Sequence, residues 1–409
     1  MRTLVILCTA LGVLTLPLES QETQNPTPRP GVCEAGYDPF AEYDGEYAEL
    51  VAEPPEDLTR AAGSIIAGCF AWQTFMALNH SPDTAGGWVH SGAQGPTRWE
   101  AWPSVGQVFP DEGTSSCEPK DPHAVTLQLS MNDGLSAGLK PVVKKPRRMR
   151  CLEFEVRDRG GNVVWRDVTM DDTFVRSLDA VGAEDFAFEA GAMATKTAWK
   201  VYDPTTDPGA GYYVRQHTNG ECESQPMALV GFHLSVKTER YPGWVWMTFE
   251  HKRNAPTATD VAAGRVDGWT FYDPSSDCPE NDDCFDAAGN PLPTRVLRHR
   301  PMEAAISKVN SYWRDRLPED SVWRNYSLNG VEWSRRTRAK QAHGTKQLAN
   351  SILETQCQQV SCYACHRAAR STDMVFTPLR GRPVASDQPS SSADAERTSA
   401  VSAPSSNRP

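Results

Sequence analysis

Apolar positions in this chain change their spacing several times, and each change marks an element. Leu58, Ala61, Ile65, Cys69, Trp72 and Met76 fall on one stripe at helical spacing, which predicts a helix over residues 58–80. From 85 to about 275 the period shortens to two, with turn residues between the runs. Cys151-Leu-Glu-Phe-Glu-Val156 and Val163-Val-Trp-Arg-Asp-Val168 alternate on either side of Gly160-Gly161-Asn162, a hairpin signal. Met227 to Val236 and Trp244 to Glu250 read as two further strands. Arg240-Tyr-Pro-Gly243 supplies a turn between them, so antiparallel pairing is expected. Helical texture returns at Met302 to about Leu317, and again at Gln347 to about Gln359.

The ends have a different texture. Met1-Arg2 precedes an apolar run from Leu4 to Leu18 that Thr9, Thr15 and Pro17 interrupt. That run is too short for a membrane span and has the form of a signal peptide, residues 1–20, with cleavage expected after Ser20. No other stretch reaches 18 consecutive apolar residues, so no membrane span is expected. Residues 21–32 are polar and Pro-rich and read as a flexible leader. Residues 381–409 are rich in Ser, Pro and Ala and read as a disordered tail. The body between them, 33–380, is expected to form a single large domain. The chain carries 52 acidic and 41 basic residues, a net charge of −11. Such a balance argues against nucleic acid and favours solubility, with a basic protein partner as the secondary expectation.

The chemistry concentrates in Cys362-Tyr363-Ala364-Cys365-His366. C-x-x-C-H is the pattern of covalent haem attachment: two thiols form thioethers with the haem vinyl groups, and the histidine becomes the proximal iron ligand. With 11 Cys and 9 His in 409 residues, roughly 0.007 matches are expected by chance. A thioredoxin-like pair would sit in an early strand-to-helix setting. Half a zinc site would need a second pair at ligand spacing, and Cys278 with Cys284 is a loose match for one. The expected cofactor is one covalent haem c, on a haem segment of residues 345–380. Covalent attachment is extracytoplasmic in bacteria, which agrees with the leader and sets a periplasmic or secreted address. Cys8 leaves with the signal peptide. Eight cysteines then remain besides the haem pair, and Cys278–Cys284 is the one disulfide expected from proximity.

The placement of the motif bears on the fold. In small cytochrome c domains it comes early, and the chain after it builds the other side of the pocket. Here it comes at the end, so the opposite wall must come from upstream. The expected class is α+β, a β-rich body flanked by helices, with haem c attached after a C-terminal helix. It is not the small early-motif cytochrome c fold.

Several stretches strengthen this picture: Trp72-Gln-Thr-Phe-Met-Ala-Leu-Asn79, Lys196-Thr-Ala-Trp199, Leu229-Val-Gly-Phe-His233 and Trp244-Val-Trp-Met-Thr-Phe-Glu-His251. Ser321-Val-Trp-Arg-Asn-Tyr326 with Trp333, and Leu348-Ala-Asn-Ser-Ile-Leu-Glu-Thr355, continue the series. Together they resemble the monohaem "cytochrome c family" proteins of Gram-negative bacteria, over roughly residues 60–375. The resemblance implies haem c and a redox role and names no substrate. This chain departs from the family pattern at Cys357, where an aromatic residue is expected, and in its tail.

The sixth iron position decides what such a haem does. His233 and His251 lead the candidates, because they lie on neighbouring predicted strands within the family-like stretches. Either is also readable as a hydrogen-bonded core histidine. Met374, eight residues past His366, ranks below them. An extended link of that length spans about 26 Å, whereas a tight turn leaves it on the proximal side. The tryptophans read as core or as pocket wall, and Arg295, Arg298 and Arg300 with Lys196 as propionate partners or a solvated basic stretch. No Walker loop, G-x-S-x-G or H-E-x-x-H is present, and no catalytic residue is assigned. The expected function is single-electron transfer with a dehydrogenase, reductase or another cytochrome. The alternative is a haem enzyme of peroxidase type, or a ligand sensor, with an open sixth site.

Overall fold

Among the described residues seven strands form one antiparallel sheet: β1 Trp165–Met170, β2 Met193–Val201, β3 Val214–Thr218, β4 Ser224–Val236, β5 Val245–His251, β6 Tyr326–Trp333 and β7 His343–Gly344. The order is β1-β2-β4-β5-β6-β7, with β3 paired to the first half of β4. The computed structural model describes Cys33, Leu58 and residues 63–79, 97–109, 155–207, 209, 211–218, 224–336 and 342–380. All belong to a unit spanning Val32–Pro409. The expected signal peptide, leader and tail lie outside the described residues. Among the described residues no helix is long and apolar enough to cross a membrane.

Strand alternation divides the sheet into two faces. Phe232, Leu234 and Val236 of β4 and Val245, Met247 and Phe249 of β5 meet across the register and belong to one aromatic core. Helices α1 (Gly63–Leu78) and α2 (Ala304–Arg314) contribute to the same core. α1 is apolar nearly all round and buried from Ala67 to Leu78, as such a helix must be. α2 turns Ile306, Val309, Asn310 and Trp313 inward. Asn310 ties the layers together. Its Oδ1 accepts from Trp72 Nε1 at 2.8 Å and from Leu328 N at 2.9 Å, and its Nδ2 donates to the Leu328 carbonyl. Cys33 bonded to Cys69 anchors α1 further.

The opposite face carries Ala194 and Lys196 of β2, Gly231, His233 and Ser235 of β4, and Trp246, Thr248 and Glu250 of β5. Segments 97–109, 172–188 and 348–380 supply cover on this side. The β-rich α+β class therefore holds, and the β4–β5 pair forms as the alternation implies, from Gly231↔Glu250 to Val236↔Val245.

One expectation is met at its turn and one fails. The 160–162 turn closes a hairpin, with an Arg157↔Val163 bridge, Val164 N donating to the Val156 carbonyl at 2.8 Å and Asp158 N to the Asn162 carbonyl at 3.0 Å. Residues 151–154 of its first arm lie outside the described residues, and the second arm runs on into β1, which pairs with β2. The helix expected over 347–359, on which the motif was to ride, does not form: turns and one 3-10 turn, Thr355–Cys357, take its place. Side chains capture the backbone groups a helix would need. Asn350 Oδ1 accepts from Ile352 N and Leu353 N, and Glu250 Oε2 accepts from Ser351 N.

Candidate functional site

The motif opens a helix of its own, α3 (Cys362–His366). Ser361 caps it by accepting from Ala364 N at 3.0 Å, and the Glu332 carboxyl on β6 accepts from Tyr363 N at 2.9 Å. Cys362 and Cys365 are thiols outside any disulfide. Burial pushes the Cys362 thiol well above its ordinary value, and the carboxylates of Glu332 and Glu354 add to the shift. A thiol held protonated is a poor nucleophile, unlike the first cysteine of an exchange-active pair.

His366 is oriented by the chain that follows it. A 3-10 segment, Arg367–Thr372, ends in two left-handed residues, Asp373 (φ 51°) and Met374 (φ 72°). The reversal aims the Met374 carbonyl at His366 Nδ1, which donates to it at 2.7 Å. That bond leaves Nε2 as the nitrogen with a lone pair. The ring packs on Trp246 and Phe376, with centroids 4.2 and 5.2 Å away. Burial, with help from Lys196 and His233 and against the Met374 bond, lowers its pKa to about 4. The imidazole is thus neutral, as metal ligation requires.

Two consecutive left-handed non-glycine residues cost about 1–2 kcal/mol each, and a buried clamp holds them. Asp373 Oδ2 accepts from Lys237 Nζ at 2.5 Å and from Phe188 N at 3.0 Å, while Trp244 Nε1 donates to the Asp373 carbonyl at 2.9 Å. Burial pulls Lys237 down and Asp373 up, both toward neutrality, and their mutual attraction opposes it.

Cys362, Cys365 and His366 line one pocket that opens to solvent. Val105, Val168, Ala194, Leu348, Val375 and Phe376 supply apolar wall. The sheet adds a polar group. His233 Nε2 lies 2.6 Å from Glu354 Oε1, and Lys196 Nζ lies 4.0 Å from the same oxygen. Burial raises the Glu354 carboxyl, but His233, Lys196 and the Asn350 N–H outweigh it and bring it to about 2. Gly231 makes this approach possible: a Cβ there would stand 3.1 Å from Asn350 Oδ1 and 3.3 Å from Ala198 Cβ. The close contact lets the 350–354 turn lie on β4 and deliver Glu354 to His233.

No family model, no curated protein and no solved structure matches this chain. The donor set itself must carry the assignment. A bare structural zinc needs about four side-chain ligands. Among the described residues no group of three or more His, Cys, Asp or Glu is placed to hold an ion. Cys278 and Cys284, the loose candidates for a second pair, are bonded to each other. Two adjacent thiols plus one oriented imidazole on an apolar wall fit a haem, which brings four nitrogens of its own.

The other sequence candidates separate. His233 shares the pocket with His366, but His251 is not among its lining residues. His251 stacks on Tyr212 and Tyr326, at 4.0 and 5.3 Å, and its Nδ1 accepts from Arg253 N. Met374 is fully buried with Trp244 and Tyr363, and it meets His366 through its carbonyl. Arg298 is paired with Glu250 at 2.7 Å and Arg295 with Glu280 at 3.6 Å. Of the tryptophans, Trp246 lines the pocket, while Trp199, Trp323 and Trp333 belong to the aromatic core. Cys357, also at the pocket, is disulfide-bonded. Lys237, Asp373, Glu332 and Glu354 went unassigned by sequence reasoning, since nothing in local spacing marks a charge that will be buried.

Proposed function

We propose that this protein is a monohaem c-type cytochrome that passes single electrons outside the cytoplasm. The observation that carries the reading is the meeting of two thiols outside any disulfide and a neutral, carbonyl-oriented imidazole in one apolar pocket. Cys362 and Cys365 are the thioether sites and His366 Nε2 the proximal ligand. A bound haem c supplies reversible one-electron chemistry at iron. The chain's own residues orient His366 through Met374, exclude water with the apolar wall, and set the local charge through Lys196, His233 and Glu354. The same reading takes in the resemblance of the motif stretches to monohaem cytochromes c. The disulfides Cys33–Cys69 and Cys278–Cys284 suit an oxidising compartment such as the periplasm. A dehydrogenase, a reductase or another cytochrome is the proposed partner, and the net charge of −11 favours one with a basic docking face.

The test is expression in a host that attaches haem c in its periplasm, followed by denaturing electrophoresis with haem staining and a pyridine haemochrome spectrum. One haem per chain that survives denaturation is expected, and Cys362→Ala with Cys365→Ala should abolish it. Folded protein without covalent haem would overturn the reading.

A further inference from the structure

We propose that His233 is the second protein ligand to the iron, bound through Nδ1 and held in place by Glu354. This rests on the haem reading above and decides its open question, the sixth coordination site.

The two histidines of the pocket show the same arrangement. Each has one ring nitrogen engaged by an oxygen of the protein. His366 gives Nδ1 to the Met374 carbonyl, and His233 has Nε2 2.6 Å from Glu354 Oε1. A histidine that ligates metal regularly commits its other nitrogen to a carbonyl or carboxylate, which fixes the tautomer and the ring plane. The remaining nitrogen of His233, Nδ1, is buried and has no hydrogen-bond partner. With Nε2 donating to the carboxylate, Nδ1 carries the lone pair. A buried lone pair without a donor is an uncompensated loss. Iron coordination removes that loss.

The support behind the ring is rigid. His233 sits in the middle of β4, paired with Lys196 on one side and Thr248 on the other. Glu354 is fixed in turn, its Oε2 accepting from Asn350 N, and Asn350 Nδ2 is anchored on Thr248 Oγ1 and the Phe249 carbonyl. The competitors lack this arrangement. His251 uses Nδ1 as an acceptor for Arg253 N away from the pocket. Met374 packs with Trp244 and Tyr363. Lys196 Nζ stands 4.0 Å from the Glu354 carboxylate and is engaged with it. An iron held by two histidines is closed to small ligands, so the inference selects electron transfer over peroxidase or sensor chemistry.

The experiment uses the full-length holoprotein. Ferric EPR and near-infrared magnetic circular dichroism should show a low-spin haem with two imidazole ligands, and carbon monoxide should leave the ferrous spectrum unchanged. His233→Ala should turn the haem high-spin and open it to carbon monoxide, and added imidazole should restore the low-spin signal. Glu354→Gln should stay low-spin with a raised reduction potential, because a weaker hydrogen bond makes the imidazole a poorer donor. The wild-type spectra decide the matter even if His233→Ala fails to fold. Covalent haem with a high-spin, histidine–methionine or histidine–lysine signature overturns this inference and leaves the cytochrome reading standing. The absence of covalent haem overturns both.

Discussion

The two faces of the sheet are built by the same strands and held together by different forces. On the helix-covered face Phe75 meets Phe249 at 4.1 Å, Phe232 at 5.3 Å and Trp323 at 5.2 Å, within a continuous apolar cluster. On the pocket face the cover is loop, and buried polar pairs tie it down: Lys237–Asp373, His233–Glu354 and Arg298–Glu250. Packing is additive and tolerant of direction, so it suits a face whose task is stability. Hydrogen bonds are directional, so they suit a face whose side chains are held in fixed orientations. Their contribution is specificity of position, since a buried pair often stabilises no more than an apolar replacement would.

That contrast breaks or sharpens at three positions. Phe75→Ala removes a ring from the centre of the aromatic core and should lower unfolding stability by about 3–5 kcal/mol in urea titration. The haem spectrum of the folded fraction should keep its wild-type form, and a changed spectrum would mean the faces are not independent. Asp373→Ala leaves Lys237 buried without its carboxylate and should cost about 3 kcal/mol. Its signature is local: amides around 366–376 should exchange faster by hydrogen exchange, while α1 stays protected. Equal loosening of both regions would refute the clamp.

The effect of pH is the smallest for a change of one unit. Burial raises the Glu332 carboxyl to about 8, so between its unfolded value near 4.5 and pH 8 the native state holds the extra proton. Stability is full below that window and declines through it as pH rises, by at most about 1.4 kcal/mol per pH unit. Asp167 and Asp171, raised to about 7 and about 6 by burial, act in the same direction. Glu354, depressed to about 2, acts oppositely, and its contribution is lost as pH falls from about 4.5 toward 2. The measurement is therefore a difference. Denaturation of Glu332→Gln against wild type from pH 5 to 9 should show a flatter profile for the variant, and parallel profiles would remove Glu332 from the account.

Periodicity located the elements whose partners are adjacent in sequence or whose faces are strongly patterned. α2 and the β4–β5 pair emerge close to their expected bounds because each buries an apolar stripe, and α1 does so because it is apolar nearly all round. It failed at 347–359, where helical spacing lost to Asn350 and to Glu250, a residue 101 positions away from Ser351 that takes its N–H. The five-residue motif was legible because covalent chemistry demands fixed spacing. The orienting residues were not, because Lys237 reaches Asp373 across 136 positions and His233 reaches Glu354 across 121.

The C-x-x-C-H spacing and strand alternation are local properties, written in spacings of two to four residues, and they can be read without the rest of the chain. The direction in which His366 and His233 point is not local. It depends on two left-handed residues that a distant lysine holds in place, and on a glycine that lets one turn settle onto β4. Only the closed sheet, with its loops laid across one face, brings those groups within hydrogen-bond range, because a bond of that length has no reach until packing has already placed both partners.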